Sequence, residues 1–390
     1  MPNYPSDPPA TQASLERRRN AKPRIEGYDL ARALAIWGMV TVHFWIVMAF
    51  HQTRPAWLHW CIEMLDGRAA AIFVILAGIG VSLRTAAAQA KADASNADSL
   101  DDQSADPIAT VQRVLIYRGI FLLIAGFLNL IIWKGDILRV YGVSLFVAAL
   151  LINASNRRLL AAAVLCGFAF IALLFLSDYD SEWDWKTFTY HDLWTTSGVI
   201  RNLFYNGFRS VFPWTGLLLF GMWLGRQRFD DQQMCRRVLV RSLGLAVFTE
   251  ILSALLVYYF HDHPHGLDEK SVVALFGTVS MPPLPLFLVA AGSMAVAVIA
   301  SSLLISQRFS DFLPVRALIA CGQMAFTWYV LHIVVGLGGL EALELQDHQS
   351  LPAAAAAAMG FFVAISLISL VVRSRGRRGP LEWMMRKVAG

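Results

Sequence analysis

The chain has 390 residues, of which 56% are hydrophobic and only 16% charged, with a mean hydropathy of +0.51. Soluble domains carry about a quarter charged residues, so the composition excludes an ordinary water-soluble globule and leaves room for roughly ten membrane spans of about 20 residues. The net charge of +5 suggests an acidic partner such as nucleic acid until the positions of the charges are considered.

Residues 1–24 are proline-rich and end on the basic run Arg17, Arg18, Arg19, Lys22 and Arg24, which reads as a disordered cytoplasmic tail. The apolar run that follows is long and has no small-residue cleavage site behind it, so a retained helix is expected rather than a secretory signal. Apolar windows place spans near 30–50, 69–86, 114–133, 137–153, 158–177, 209–225, 238–260, 284–305, 314–337 and 353–372. Pro213, Pro285, Pro314 and Pro352 fall near first turns, where a missing N–H is harmless. The fourth window is short and carries Arg139. Thr85 to Pro107 reads as a flexible linker, and residues 373–390 as a second basic tail after a bundle over 25–372.

Counting Lys and Arg on alternate sides of ten spans puts 23 of the 33 on the side that holds both termini and seven on the other, with Arg32, Arg118 and Arg139 inside spans. The expected fold is therefore an all-α polytopic bundle of about ten transmembrane helices with both termini in the cytoplasm, set in a cell inner membrane among lipid. Membrane insertion then accounts for the positive charge, and no nucleic-acid partner is expected. The opposite face is acidic and aromatic. Its longest loop, Ser177 to Phe208, would contact a polar substrate or lie at headgroup level.

Ionisable residues within spans are costly and point to function. They are Arg32, His43, Arg118, Arg139, Glu250 and His332. Arg118 and Arg139 could instead snorkel to an interface. Glu250, in an apolar stretch, must be protonated, paired with an arginine or open to water. From Arg32 to His43 is eleven residues, almost three full turns, which puts both on one helix face roughly 16 Å apart. Asp29 can pair with Arg32. The face suits a long ligand with an anionic end near Arg32 and a reactive end near His43. The plainer alternative is a histidine bonded to a neighbouring helix.

The four cysteines, Cys61, Cys166, Cys235 and Cys321, show no paired spacing. His261-Asp-His-Pro-His265 lacks a framed second pair of ligands, and no metal is expected. Gly221 and Gly225 form a GxxxG that suits close packing inside the bundle, with a homodimer as the lesser alternative.

Several stretches carry a family resemblance. Tyr28-Asp-Leu-Ala-Arg-Ala-Leu-Ala-Ile-Trp-Gly-Met-Val-Thr-Val-His43 resembles the opening helix of the transmembrane acyltransferase superfamily, which includes acyltransferase 3 and the heparan-alpha-glucosaminide N-acetyltransferases. Asp66-Gly-Arg-Ala-Ala-Ala-Ile-Phe-Val-Ile-Leu-Ala-Gly78 is similar to their second helix. Gly135-Asp-Ile-Leu-Arg-Val-Tyr-Gly142, Phe212-Pro-Trp214, Gly322-Gln-Met-Ala-Phe-Thr-Trp-Tyr-Val-Leu-His332 and Gly379-Pro-Leu-Glu-Trp383 look most like the DUF418 branch. The resemblance implies transfer of an acyl group, usually acetyl from cytoplasmic acetyl-CoA, to a hydroxyl or amine of an extracytoplasmic sugar or glycan.

On that resemblance His43 would be the general base, and Arg32 with Asp29 would anchor CoA phosphates, Arg68 and Arg139 being further cations for the donor. Asp66, Glu250, Arg68 and His332 would orient the base or stabilise an oxyanion. There are departures. The heparan enzymes carry Asn where this chain has His43 and place their active histidine in the following loop, for which His51 is the nearest equivalent. Ser144 and Leu145 replace a Gln-Arg of their fourth helix. The rival reading from a different class is a carrier for a small solute or sugar without covalent chemistry, using the same polar residues.

Overall fold

The structure, a computed structural model, describes residues 25–98, 106–185, 187–227, 229, 231–263 and 266–390. Every apolar window holds a helix, and polar caps mark several starts. Asp106 accepts the Ile108 amide at 2.9 Å ahead of Pro107, and Asp231 accepts that of Gln233 at 2.9 Å. In chain order the helices are α1 (Glu26–Met48), α2 (Ala56–Glu63), α3 (Arg68–Asp98), α4 (Pro107–Ile132), α5 (Leu138–Leu150), α6 (Asn156–Leu176), α7 (Thr196–Arg201) and α8 (Val211–Leu224). They continue as α9 (Gln232–Asp262), α10 (Glu269–Phe276), α11 (Pro285–Phe309), α12 (Leu313–Gly322), α13 (Ala325–Leu331), α14 (Gly338–Ala342), α15 (Leu351–Ser374) and α16 (Pro380–Ala389). Among the described residues eight helical segments are long and apolar enough to cross a membrane, while α5 and α8, at the fourth and sixth windows, are shorter. The chain is a multi-pass membrane protein.

Four regions differ from the sequence expectation. The stretch read as a flexible linker from Thr85 is helical as far as Asp98, because its alanines are strong helix formers even where hydropathy falls. The window 314–337 is broken after Gly322 and passes through α13 into a π-helical turn, His332–Leu337. Within Ser177 to Phe208 lies a small antiparallel pair, β1 (Trp183–Asp184) and β2 (Thr189–Tyr190), with Trp183 opposite Tyr190. Residues 380–389, expected within a tail, form α16, which packs on α4 and α13. The basic tail 1–24 and His265 of the histidine cluster lie outside the described residues.

The bundle is organised around α1, which packs against α3, α11, α12 and α15 and buries Ala31, Ala33, Ala35, Ile36 and Val40 completely. α3 lies along α8 at backbone contact distance. A Cβ added at Gly78 would meet the Leu218 carbonyl at 2.0 Å, and one at Gly221 the Ile75 carbonyl at 2.3 Å. The GxxxG face is therefore filled within the chain. A second tie is the buried Asp136 carboxylate, in the turn before α5. It accepts from Asn129 (2.9 Å), the Arg139 amide (3.1 Å) and Tyr329 (3.3 Å), while Arg139 reaches Asn202 at 3.1 Å. This network joins α4, α5, α13 and the loop from Ser177 to Phe208, and it answers the snorkelling alternative for Arg139, which is 1% exposed.

Gly221→Leu is expected to destabilise the protein by about 1–3 kcal/mol through forced separation of α3 and α8. Gly244→Leu, where an added Cβ meets nothing within 4 Å, should leave stability unchanged. Unfolding in mixed micelles compares the two.

Candidate active site

A cavity of about 280 Å³ follows one face of α1. Its wall is mostly apolar, from Met39, Val42, Ala70, Phe73, Ala77 and Leu122, and its polar groups are Arg32, Tyr141 and Tyr329, His43, and Asp66 with Arg209. The eleven-residue spacing on α1 sets the distance between the Arg32 end and His43, and both side chains do face the same space. Arg32 is held by Asp29, Nη1 to Oδ1 at 2.5 Å, as the i, i+3 spacing predicted.

His43 and His332 meet. His43 Nδ1 lies 2.8 Å from His332 Nε2, with the residues 6% and 0% exposed. Only one proton can occupy that contact, and the far side of His332 decides which ring supplies it. His332 Nδ1 is 3.3 Å from the Trp328 carbonyl, an obligate acceptor, so Nδ1 is the protonated nitrogen of a neutral His332. Its Nε2 then accepts from His43 Nδ1–H, which leaves the lone pair of His43 on Nε2. A neutral imidazole with a defined basic nitrogen thus borders the cavity. Trp133 packs on the His43 ring, centroids 5.0 Å apart, and restricts it further.

The late helix is shaped to deliver His332. α13 begins after the break at Gln323–Met324, where its free amides need an acceptor. Glu382 of α16 supplies one: its carboxylate accepts from the Phe326 amide (2.7 Å), the Thr327 amide (3.0 Å) and the Thr327 hydroxyl (2.5 Å). At the other end of α13 the π-helical turn starts at His332 itself, a local underwinding that recurs at functional sites.

Beyond His43 the cavity ends at one ion pair, with a second packed behind it. Asp66 accepts from Arg209 Nη2 at 2.8 Å and from the Ser280 hydroxyl. Arg209 also stacks over Phe208 and Trp214, 4.3 and 5.1 Å from the ring centroids. Behind it, Glu250 pairs with Arg68 at 2.5 Å and accepts from Thr278 at 2.7 Å. Glu250 is paired with an arginine, one of the three states foreseen for it. Over this end lies the hairpin, with Trp183 and Trp185 stacked 4.4 Å apart and Phe188 against Trp133. The cap is tied outward by Lys270, whose ammonium is pushed up by its contact with Asp180.

Of the residues singled out from sequence, Arg32, His43 and Asp66 line the cavity, and Asp29 and His332 hold two of them. Arg68 and Glu250 form the pair behind Asp66 and Arg209, Arg139 belongs to the Asp136 network, and His51 is exposed in the turn after α1, against Phe50. Arg209, Tyr141, Tyr329 and Glu382 are additions. Arg209 sits three residues before the Phe212-Pro-Trp214 motif and Glu382 within Gly379-Pro-Leu-Glu-Trp383, so the motifs marked the neighbourhoods without marking the roles. Among the described residues no cluster of His, Cys, Asp or Glu could hold a metal ion.

The family model described as "Heparan-alpha-glucosaminide N-acetyltransferase, catalytic" matches residues 24–263, and the model of the DUF418 family, described as a protein of unknown function, matches residues 224–390. No curated protein matches the chain. The first region carries His43, Asp66, Arg209 and Glu250, and the second His332 and Glu382, so the histidine pair spans the two.

Glu250→Leu leaves the Arg68 guanidinium buried beside no carboxylate and is expected to lower stability by about 2 kcal/mol. Adding Arg68→Met to it should restore most of that loss, as measured by thermal unfolding in detergent. A double variant no more stable than the single one would show that the pair does not carry the effect.

Proposed function

Because the chain belongs to the heparan-alpha-glucosaminide N-acetyltransferase catalytic family, we propose that it moves an acetyl group from acetyl-CoA to a hydroxyl or amine of a sugar or glycan on the opposite side of the membrane. The observation that carries this reading is one cavity with a paired cation at one end, a tautomer-fixed imidazole along its length and a polar cluster at the other. The Lys and Arg bias supports ten spans with both termini cytoplasmic, α5 and α8 being the two short ones, in a cell inner membrane. Arg32 then lies at the donor side.

The chemistry follows from the protonation pattern. The acceptor O–H or N–H approaches from the Asp66–Arg209 end and gives its proton to His43 Nε2 as its oxygen or nitrogen bonds to the thioester carbonyl carbon. The tetrahedral oxyanion collapses, the C–S bond breaks, and the departing thiolate takes the proton back from His43. His332 holds the imidazole in the tautomer this needs and accepts through the Nδ1–H bond as positive charge develops on the ring. Tyr141 and Tyr329 line the same cavity, and Arg209 with Asp66 offers a polar end to an acceptor rich in hydroxyls.

His43→Ala is expected to lower acetyl transfer by about 1000-fold while acetyl-CoA still binds. His332→Leu should cost kcat roughly tenfold or more with little change in donor KM, and His332→Gln, whose side-chain oxygen can accept from His43 Nδ1–H, should recover part of it. Labelled acetyl-CoA, followed by mass analysis for free CoA and acetylated amino sugars, measures all three. Acetyl-CoA that stays unchanged with every sugar acceptor while the protein moves solute would favour a carrier.

A further inference from the structure

Three arginines gather just past the Arg32 end of the cavity. On α3 the lining residues Ala70 and Ala77 recur at seven-residue spacing, and Arg84 continues that row about 10 Å further along the same face. On α4 Arg118 lies one turn, about 6 Å, before the lining residue Leu122. On α16 Arg386 follows Met385, which itself lines the cavity. Arg84 feels the positive charge of Arg386, and Arg118 that of both Arg84 and Arg386.

This arrangement is unfavourable as it stands. Arg84 and Arg118 are half-buried, and burial removes the water that would screen their repulsion. Among the described residues no Asp or Glu carboxylate lies within ion-pair distance of any of the three. Glu382, one turn before Arg386, is turned away to cap α13. Arg118 Nη2 donates to a main-chain oxygen of Gly390, the last residue of the sequence, at 2.9 Å, which neutralises one of the three guanidiniums in part, whereas its buried Nε has no partner. Converging guanidiniums with donors to spare are what a phosphate ester or diphosphate needs.

We propose that Arg84, Arg118 and Arg386 form a phosphate-binding site that grips the phosphate-bearing tail of a ligand whose other end lies in the cavity. The proposal rests on the acyl-transfer reading for the identity of that ligand. The pantetheine arm of CoA has the reach of about four to five peptide residues, roughly 16 Å. That matches the span from His43 to Arg32 and leaves the nucleotide phosphates at the cluster. α16 thereby becomes part of the donor mouth, since it supplies both Met385 and Arg386. An anionic phospholipid headgroup offers the same chemistry from the bilayer, and the test separates the two sources.

Full-length protein in neutral detergent is titrated with CoA, adenosine 3′,5′-bisphosphate and pantetheine. Arg84→Gln, Arg118→Gln and Arg386→Gln should each weaken CoA and bisphosphate binding about tenfold without changing pantetheine binding, and Arg237→Gln, an exposed control on α9, should match the wild type. Removing Arg386 should also leave the ligand-free melting temperature equal or higher, because a repulsion is relieved, which guards against mistaking a folding defect for a lost site. CoA affinity unchanged in all three variants would overturn the proposal while leaving acyl transfer standing. Arginine-dependent bisphosphate binding in a protein that never cleaves acetyl-CoA would support the site and overturn the acyl-transfer reading. If phosphate probes bind nowhere in detergent, and phosphatidylglycerol nanodiscs but not phosphatidylcholine nanodiscs show arginine-dependent lipid retention, the coenzyme tail is overturned in favour of lipid.

Discussion

The hydrogen bond between His43 and His332, 2.8 Å long and almost wholly buried, is the constraint around which the site is built. In an apolar bundle an imidazole N–H or lone pair without a partner is expensive, and two neutral rings facing one another satisfy each other in two complementary pairings of tautomers, one of which has the shared proton on His43 Nδ1. The Trp328 carbonyl selects that pairing from behind His332. The result reaches the cavity as a single chemical fact: the free lone pair of His43 is on Nε2. Because the two histidines are 289 residues apart, the first helix and the late helix must be held in fixed register for that fact to persist.

Much of the remaining polar structure acts to hold that register. Glu382 fixes the start of α13, and the π-helical turn at its end positions His332. Tyr329 bridges α13 to the Asp136 network, accepting from the Ile137 amide at 3.2 Å and reaching the carboxylate at 3.3 Å. The network in turn secures α5 and the loop from Ser177 to Phe208 through Arg139 and Asn202. Each of these groups would be a liability in hydrocarbon if left unpaired, so the cost of burying them is offset only in the assembled bundle. α3, which lines the cavity through Ala70, Phe73 and Ala77, is backed by α8 at backbone contact through glycine.

The amino-acid sequence disclosed the parts that depend on one helix at a time. Apolar windows located the spans, and the eleven-residue step from Arg32 to His43 described a cavity wall before any partner was known. What it hid depends on distant contacts or on backbone irregularity. Nothing in local composition says that Arg209 meets Asp66 or that Glu250 meets Arg68, since those pairs are 143 and 182 residues apart. Hydropathy is blind to the break at Gln323, because the residues on both sides stay apolar. The same blindness, acting in reverse, made polar but helix-favouring segments read as linker and tail: α3 runs on to Asp98 and α16 docks under the cavity through Glu382 and Met385. His51, suggested by alignment to the loop after the first helix, sits exposed, whereas His43 one turn inside that helix end holds the protected position.

On the proposed function, one cavity lets a donor and an acceptor on opposite sides of a membrane meet at His43. The most direct test is vectorial transfer in sealed, unidirectionally reconstituted proteoliposomes, with labelled acetyl-CoA on the side of Arg32 and a membrane-impermeant amino sugar on the side of Asp66 and Arg209. Acetylated sugar that has never left its own compartment is expected, and none when the two compartments are exchanged. Acetylation only when donor and acceptor share a compartment, or acetylated sugar that forms equally with the compartments exchanged, would contradict it.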